Sequence, residues 1–550
     1  MNICSYNLDV ISRRKIYMSS NKILVFDFKS ILKTQFSSVT FEERIQFLNS
    51  LIQRRSLAGT QLVDDQPKLD FQSLKLLIEY SYYIVSLPYV PGPVQKFNAT
   101  VGENVLSELV NATVTYYLSD SLERNADEIA ELDFFVSHLN YDYVEAPQYL
   151  EYFEYFKEEL EEYLGFTNSF NFVRMLLATS VVIVDQVYGD LLPDFLTMGV
   201  PIDQLERLYP GIGDNLISAE RFQNEFDNIN YPTDIENLLN NAKVPAIQHN
   251  GLVFVPNSIN IVQYIAVGLR RYIKPLGKKA MRFQHRHEGF LKKVITEKVA
   301  NRETDISVVT NFFVSVANGR EHDLLLLWQN YAFVIELKTA DIEFNSMNAS
   351  GSLLSLQRKY SSVIGKAMIQ EQDAEIELRN NRKYFTREGD AKSKQILPKR
   401  VKKFNGVILT GKNYQSLAHN QERYSKDSNV LKSVMSIFDF EIIFAWTVHF
   451  RNPKFLSDYL TWRVQQHTMN MIVDISMDEI ALFEYFVMFE GKTHQDIPIV
   501  LSSQGGTSIL LWYQNEYSRR DELMSTNFMS QWMEKFLADD ETNVFEDIKS

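Results

Sequence analysis

The fold is decided by Gly319–Thr339, GREHDLLLLWQNYAFVIELKT, in which two apolar runs flank the dipeptide Gln329-Asn330. A third apolar run, Val308–Ala317, ends at Asn318-Gly319. Asn-Gly between two β-type runs is the strongest short hairpin signal, because both turn positions need positive φ. The sequence therefore predicts a three-stranded antiparallel meander.

The register of the second hairpin sets ionisable residues opposite one another. If Gln329-Asn330 is a two-residue turn, Asp323 faces Glu336 and Glu321 faces Lys338. Like charges that face each other across a strand pair cost stability, so the two carboxylates need a counter-charge. Lys338 supplies part of it, and Mg²⁺ or Mn²⁺ would supply more, because both ions prefer hard oxygen ligands. An exposed face with a Glu–Lys pair is the alternative, which the apolar neighbours disfavour.

The elements on either side of the meander extend this pattern. His287–Ala300 is predicted to be a helix, with Glu288 on its buried side at the first turn. A helical stretch from Gly351 to Arg379 follows the meander, and Phe404–Thr410 is a short apolar strand. The predicted order is helix, three strands, helix and strand.

An acid on the leading helix, an Asp on one strand and Glu-x-Lys on the next form a pattern that resembles the PD-(D/E)XK nuclease superfamily, which has the restriction-endonuclease-like fold. The residues that carry the resemblance are Glu288, Asp323, Glu336 and Lys338. The local form is most similar to nuclease-related and Shedu-like defence nucleases. His322 stands where the motif usually has Pro, and the resemblance covers about residues 265–450.

The resemblance implies a role for each of these residues. Asp323 and Glu336 would hold Mg²⁺ or Mn²⁺, and Glu288 would support the metal directly or through water. Lys338 would orient or help to deprotonate the attacking water and stabilise the transition state. Some members carry a Gln on the following helix that contacts the site or the nucleic-acid backbone, and Gln357 and Gln370 both stand in suitable positions.

Positive charge is concentrated around this region. Residues 101–250 contain 6 Lys or Arg and 27 Asp or Glu, whereas residues 251–450 contain 30 and 19. Two clusters, Arg270–Lys293 and Arg379–Lys403, flank the candidate site in sequence. Their candidate nucleic-acid-binding residues are Lys278, Lys279, Arg282 and Arg286 in the first and Lys399, Arg400, Lys402 and Lys403 in the second. The second cluster is predicted to form a loop. Such side chains give salt-dependent affinity for phosphates, and the alternative is that the charges belong to solvated faces.

The chain is expected to be a multidomain α/β protein with three regions. Residues 1–255 are predicted to be a mainly helical regulatory, sensing or assembly region. Residues 256–450 are the nuclease-like domain, with the αβββαβ order of a restriction-endonuclease-like core, and residues 451–550 are a mixed, mostly helical extension. Within the first region, Lys22–Phe28 is predicted to be a buried strand, Tyr141–Tyr163 an amphipathic helix with its rings in the core, and Pro201–Asp214 a loop.

Composition excludes several classes of protein. A single cysteine, Cys4, excludes a disulfide scaffold and a thiolate zinc site, and no apolar stretch is long enough to span a membrane. We therefore expect a cytoplasmic protein. No Walker A loop is present, so any ATPase step or activating trigger would come from a partner protein, and a homo-oligomer is also left open.

These observations predict a metal-dependent endonuclease with DNA as its substrate, in anti-phage defence or restriction. A catalytically inactive nuclease fold that binds nucleic acid or assembles a complex is the alternative. RNA as the substrate is left open by the sequence.

Overall fold

The computed structural model describes the following residues: 28–58, 71–91, 97–118, 146–185, 199–228, 235, 238–239, 241–256, 258–299, 305–315, 320–339, 353–388, 391–411, 414, 418, 421, 431–468, 479–489, 509–510 and 512–513. They divide into two compact units, one from residues 28–118 and 146–275 and the other from residues 276–513. The division falls one helix later than the predicted boundary at residue 255. None of the described helices is both long enough and apolar enough to cross a membrane.

The first unit is mainly helical and contains a small four-stranded sheet. Its helices are α1 Phe28–Phe36, α2 Phe41–Ala58, α3 Phe71–Ser86, α4 Ala99–Leu118, α5 Ala146–Tyr155, α6 Lys157–Leu164, α7 Ser169–Asp185, α8 Ile202–Leu208, α9 Ala219–Phe226 and α10 Ser258–Ile273. Its strands are β1 Val200–Pro201, β2 Ile217–Ser218, β3 Ile247–His249 and β4 Leu252–Phe254, in the sheet order β1-β4-β3-β2. The predicted helical character of this region is confirmed.

Aromatic side chains build the core of this unit, as the sequence of Tyr141–Tyr163 predicts. The rings of Tyr152 and Phe153 are buried, and those of Tyr83 and Phe226 stack with centroids 4.0 Å apart. The predicted single helix is divided at Phe156 between α5 and α6.

The predicted loop Pro201–Asp214 is wrong in part, because it contains α8. Helical residues there bury Leu205 and end at Tyr209, whose amide bonds back to the Leu205 carbonyl at 2.7 Å. The predicted strand Lys22–Phe28 lies outside the described residues except for Phe28, which begins α1.

The second unit is built on a seven-stranded mixed sheet. Its helices are α11 Lys278–Lys293, α12 Leu353–Tyr360, α13 Lys366–Asn381, α14 Ile437–His449, α15 Pro453–Thr468 and α16 Glu479–Phe489, and π-helical turns continue α11 over Val294–Val299 and join α12 to α13 over Ser361–Gly365. Its strands are β5 Ile306–Phe313, β6 Glu321–Trp328, β7 Tyr331–Lys338, β8 Lys383–Glu388, β9 Ala391–Ile396, β10 Lys403–Thr410 and β11 Ser433–Ser436. The sheet order is β11-β10-β7-β6-β5-β8-β9.

The predicted meander is confirmed, and so is the register of its second hairpin from Leu324 to Trp328. The predicted pairs Asp323–Glu336 and Glu321–Lys338 do not form, because that ladder stops at Leu324. The β5–β6 pair Phe313↔Glu321 also differs from the register that a two-residue turn at Asn318-Gly319 would give. Strands β5, β6 and β7 pair antiparallel, and the β6–β7 ladder runs from Leu324↔Ile335 to Trp328↔Tyr331. Gln329, at the first turn position, has a φ of 53°, as a tight two-residue turn requires. The other predicted turn, Asn318-Gly319, lies outside the described residues. Strand β10 then pairs parallel with β7, a pairing that needs the long crossover through α12 and α13.

Helices cover both faces of this sheet, so its central strands are apolar on both sides. Ala374 and Leu378 of α13 pack with Leu325 and Val334 on one face. On the other face, Trp328 meets Phe444 of α14 edge-on at 6.0 Å. As a result every residue of β7 from Tyr331 to Leu337 is buried.

The prediction that the second basic cluster forms a loop is wrong. Its first part folds into the antiparallel hairpin β8–β9, and β8 continues the sheet by pairing with Phe312 and Phe313 of β5. The pattern is hidden because the alternate residues Lys392 and Lys394 of β9 are charged, which an edge strand tolerates and a buried strand does not. Only the segment after Ile396 remains without regular structure before β10.

A close contact between Gly406 and Glu371 sets the distance of α13 from the sheet. The Glu371 side chain is fully buried, and Lys432 Nζ lies 2.6 Å from its Oε2 and 2.8 Å from Glu375 Oε2. Burial raises the pKa of Glu371 to about 7, against the opposing effect of Lys432. A β-carbon at residue 406 would lie 2.0 Å from Glu371 Cδ.

Gly406→Ala should therefore lower the free energy of unfolding by about 1–3 kcal/mol, because Glu371 must leave Lys432 or the helix must move off the sheet. Urea unfolding measures the change. Glu371→Ala in the same chain should recover part of the loss, since it removes the colliding group. Gly365→Ala is the control, because its β-carbon would approach no atom closer than 3.6 Å. Wild-type stability of Gly406→Ala would contradict the contact.

Candidate functional site

Regular pairing is interrupted where β6 carries Asp323. Asn311, which would face Asp323 on β5, has a φ of 53°, and the pairing resumes on either side at Thr310↔Leu324 and Phe312↔His322. The β6–β7 ladder stops at Leu324, so Asp323 lies outside both ladders. Interruptions of this kind re-aim side chains and are common beside active sites.

The Asp323 carboxylate accepts hydrogen bonds at the point where the backbone ladder is interrupted. Its Oδ2 accepts a hydrogen bond from the backbone amide of Leu337 at 2.9 Å. Its Oδ1 lies 3.2 Å from Nζ of Lys292, on α11, and that ammonium also donates to the side chain of Asn311. Both oxygens of the carboxylate are therefore engaged by protein donors.

Glu336 is the most deeply buried acid of the site, with 2% of its surface exposed. Nδ1 of His322 lies 2.6 Å from Glu336 Oε1, and the ring donates to an ionised carboxylate. Nζ of Lys338 is 3.7 Å from Oε2. Burial raises the pKa of Glu336, and the hydrogen bond from His322 and the charge of Lys338 act against that rise.

Glu288 joins the same group of charges from α11. Burial first, and then the charge of Asp323, raise the pKa of Glu288, while Lys292, His285 and Lys338 lower it. The structure thus brings together the four residues that carry the sequence resemblance. The predicted position of Glu288 at a helix start is wrong, because α11 begins ten residues earlier at Lys278.

Glycine at residue 411 lets α11 approach the ends of β7 and β10. The Gly411 amide donates to the Lys338 carbonyl at 3.1 Å, and a β-carbon at Gly411 would lie 3.0 Å from Cε1 of the buried His287. His287 is therefore a packing residue of this helix. His285 precedes Glu288 by three residues and is exposed, with its Nδ1 3.8 Å from Glu288 Oε2.

The donors suit a hard cation, but the arrangement does not bring three of them around one point. Carboxylate oxygens are the ligands that Mg²⁺ prefers. Across the described ranges, no three His, Cys, Asp or Glu side chains come close enough to hold a metal ion. In this arrangement Lys292 and Lys338 supply the counter-charge to Asp323 and Glu336.

The first basic cluster lies on the helix of the site. Lys278, Lys279, Arg282 and Arg286 all belong to α11, and Lys278 and Arg282 are exposed and four residues apart, on one helix face. Gln370 lies on α13 next to Glu371. The pKa of Glu371 is raised mainly by burial and in part by the charge of Glu336, which brings this part of α13 within electrostatic reach of the site. Gln357 lies one helix earlier, on α12.

The four candidate binding residues of the second basic cluster lie at the opposite end of the sheet. Lys403 pairs with Tyr331 at the start of the parallel ladder, and Thr410 pairs with Lys338 at its end. Seven steps of about 3.3 Å separate the two ends by about 23 Å. Lys399, Arg400 and Lys402 precede Lys403, so these residues do not join the carboxylates.

Two members of the site were not foreseen from the sequence. Lys292 follows Glu288 by four residues, so helical periodicity could have placed both on one face. His322 offered no such signal, because strict alternation along β6 would direct His322 and Asp323 to opposite faces, and only the interrupted pairing joins His322 to Glu336.

Comparison of the chain with protein families, with curated proteins and with solved structures gave no significant match.

His322→Phe should lower the free energy of unfolding at pH 7.5 by about 1–3 kcal/mol, because it leaves Glu336 Oε1 buried without a donor. The raised folded-state pKa of Glu336 means that its ionisation opposes folding as pH rises. The loss should therefore shrink at pH 4, where both states hold the proton. Urea unfolding at the two pH values measures this difference.

Glu336→Gln in the His322→Phe chain is the matched control, since it removes the charge that lacks a partner. That double variant should regain stability at pH 7.5 relative to His322→Phe alone. An equal loss at both pH values would show that His322 acts by packing.

Proposed function

We propose that this protein is a metal-dependent nuclease of the PD-(D/E)XK type that hydrolyses phosphodiester bonds in DNA. The observation that carries the proposal is the grouping of Glu288, Asp323, Glu336 and Lys338, reached in the order helix, three strands, helix and strand. The β8–β9 hairpin is an insertion in that order. A role in anti-phage defence or restriction rests on the resemblance in sequence alone.

Each of these residues has a part in the proposed hydrolysis. Lys338, whose side chain is 22% exposed, orients the attacking water and stabilises the charge that develops on the phosphate oxygens. The water oxygen bonds to phosphorus while the bond from phosphorus to the leaving oxygen breaks, and the proton that the water releases passes through solvent to the leaving oxygen. His322 and the Leu337 amide hold Glu336 and Asp323 in place. Mg²⁺ or Mn²⁺, bound by Asp323 and Glu336 with Glu288 in support, would polarise the phosphate and lower the pKa of the attacking water.

A second candidate is a nuclease fold without activity, which binds nucleic acid or assembles a complex. It is favoured by the pairing of Lys292 with Asp323 and of Lys338 with Glu336, which neutralises both acids without a metal. Incubation of the purified chain with plasmid, linear duplex, single strands and RNA separates the two candidates. Cutting with Mg²⁺ or Mn²⁺ and none with EDTA supports the nuclease, whereas binding without cutting supports the module.

Asp323→Asn, Glu336→Gln and Lys338→Met should each reduce cleavage by about 10²–10³-fold, since each removes a charged group from the reaction centre. Gel assays of plasmid cutting measure the rate, and circular dichroism checks the fold. Glu321→Gln is the matched control, because Glu321 is an exposed carboxylate on β6, the strand that carries Asp323. Loss of activity in the control, or wild-type cutting by the three variants, would contradict the assignment.

Reversal of charge at Lys278 and Arg282 should weaken binding to DNA of every sequence. The slope of log affinity against log salt should fall by about one unit for each phosphate that the variant no longer neutralises. Fluorescence anisotropy with a short duplex at several salt concentrations measures both effects. Reversal at Lys399 and Arg400 is the comparison, since these residues lie at the far end of the sheet. Equal effects in both variants would show that DNA binds along the whole sheet. An unchanged slope in the first variant would show that DNA does not bind to α11.

A further inference from the structure

A cavity lies at the end of the sheet away from the carboxylates. Its volume is about 610 Å³, within the range of small-molecule sites. Residues at the start of β10 and on α15 line the cavity, together with Arg379 of α13 and Phe486 of α16. None of its lining residues belongs to the candidate active site.

Positive charge in this cavity is not balanced. Lys402 and Lys403 both line it, and in the part of the chain that the structure describes neither ammonium lies within ion-pair distance of a carboxylate. The acid of the lining, Asp458, is paired with Lys454. Arg379 bonds to Glu375 through one of its nitrogens, which leaves other N–H donors of its guanidinium for a ligand. An anionic group is therefore the natural complement of this wall.

The other groups of the lining suit a ring with polar edges. Phe404 lies beneath the Arg379 guanidinium, 5.6 Å from it, and Trp462 stands on the α15 side. Nε1 of Trp462 is buried and has no hydrogen-bond partner among the described residues. Asn405 and Ser457 hydrogen-bond to each other at 3.0 Å and add an amide and a hydroxyl to the same surface. The rings of Phe404, Trp462 and Phe486 are largely buried, so they offer apolar ring atoms at the cavity wall. Apolar walls with a few convergent polar groups are typical of small-molecule sites.

The strand itself adds backbone groups to the cavity. Strand β11 pairs only with Val407–Thr410, so the first half of β10 has β7 on one side and no described strand on the other. An uncovered strand edge presents N–H and C=O groups that a ligand can bind. Phe404 and Asn405, in this half of β10, both line the cavity.

We propose that this cavity binds a nucleoside phosphate, with the phosphate at Lys402 and Lys403 and the base against the apolar wall and the side chains of Asn405 and Ser457. This is a site for a small ligand, separate from the proposed cleavage of DNA, and it would exist whether or not the chain cuts nucleic acid.

Isothermal titration calorimetry of the full chain tests the proposal with four probes: a nucleoside monophosphate, the matching nucleoside, inorganic phosphate and a short single-stranded oligonucleotide. The monophosphate should bind more tightly than the nucleoside or phosphate. Lys402→Glu with Lys403→Glu should weaken its binding by about tenfold or more, because the variant removes charge-assisted hydrogen bonds. Arg387→Glu with Lys394→Glu is the matched control, as both residues are exposed on the β8–β9 hairpin at the other edge of the sheet.

Asn405→Asp is a second variant of nearly unchanged shape, which sets a negative charge in the cavity and should also weaken binding of the monophosphate. Thermal melting without ligand checks that each variant folds. Equal binding of phosphate and monophosphate would reduce the cavity to a simple anion site and overturn the proposal. Binding of the oligonucleotide alone, no binding of any probe, or equal weakening in the hairpin control would overturn it as well.

Discussion

The second unit depends on the burial of β7 at the centre of a sheet that helices cover on both faces. Every side chain from Tyr331 to Leu337 is removed from water, including that of Glu336. An ionised carboxylate in such a place is costly unless it is hydrogen-bonded and paired. The neighbours of Glu336 are therefore constrained by electrostatics as much as by packing, and His322 and Lys338 meet that constraint.

The interrupted pairing at Asp323 is a local solution to the same problem. Two carboxylates directly opposed in a regular ladder would repel each other. Here Asp323 leaves the ladder and bonds to the Leu337 amide and to Lys292, so each acid has its own donors. The resulting cluster of acids and lysines has the groups that phosphodiester hydrolysis needs, and it is also self-neutralised. Because the cluster holds the groups that a nuclease uses and also neutralises its own charges, the same geometry is compatible with both proposals, an enzyme and an inactive module.

The two ends of the sheet differ in whether their lysines are paired with carboxylates. At the end near Lys338, cations are matched by acids, whereas Lys402 and Lys403 at the other end have no such partners among the described residues. Sequence position alone had grouped all the basic residues around one site. The parallel register of β7 and β10 separates Lys403 from Lys338 by about 23 Å along the strands. Parallel strands begin at one end of the sheet and finish at the other.

The sequence by itself determined the meander and the register of its second hairpin from Leu324 to Trp328, since turn chemistry and two-residue periodicity act locally. It also determined the helical character of the first unit through apolar spacing. Only the tertiary structure decided that residues 383–396 form strands, because an edge hairpin with polar residues gains its stability from pairing with β5 and not from its own pattern. It likewise decided that α11 begins at Lys278, and that His322 and Lys292 complete the site. These contacts depend on an interrupted ladder and on a helix packed against Gly411, and neither is encoded within a short stretch of chain.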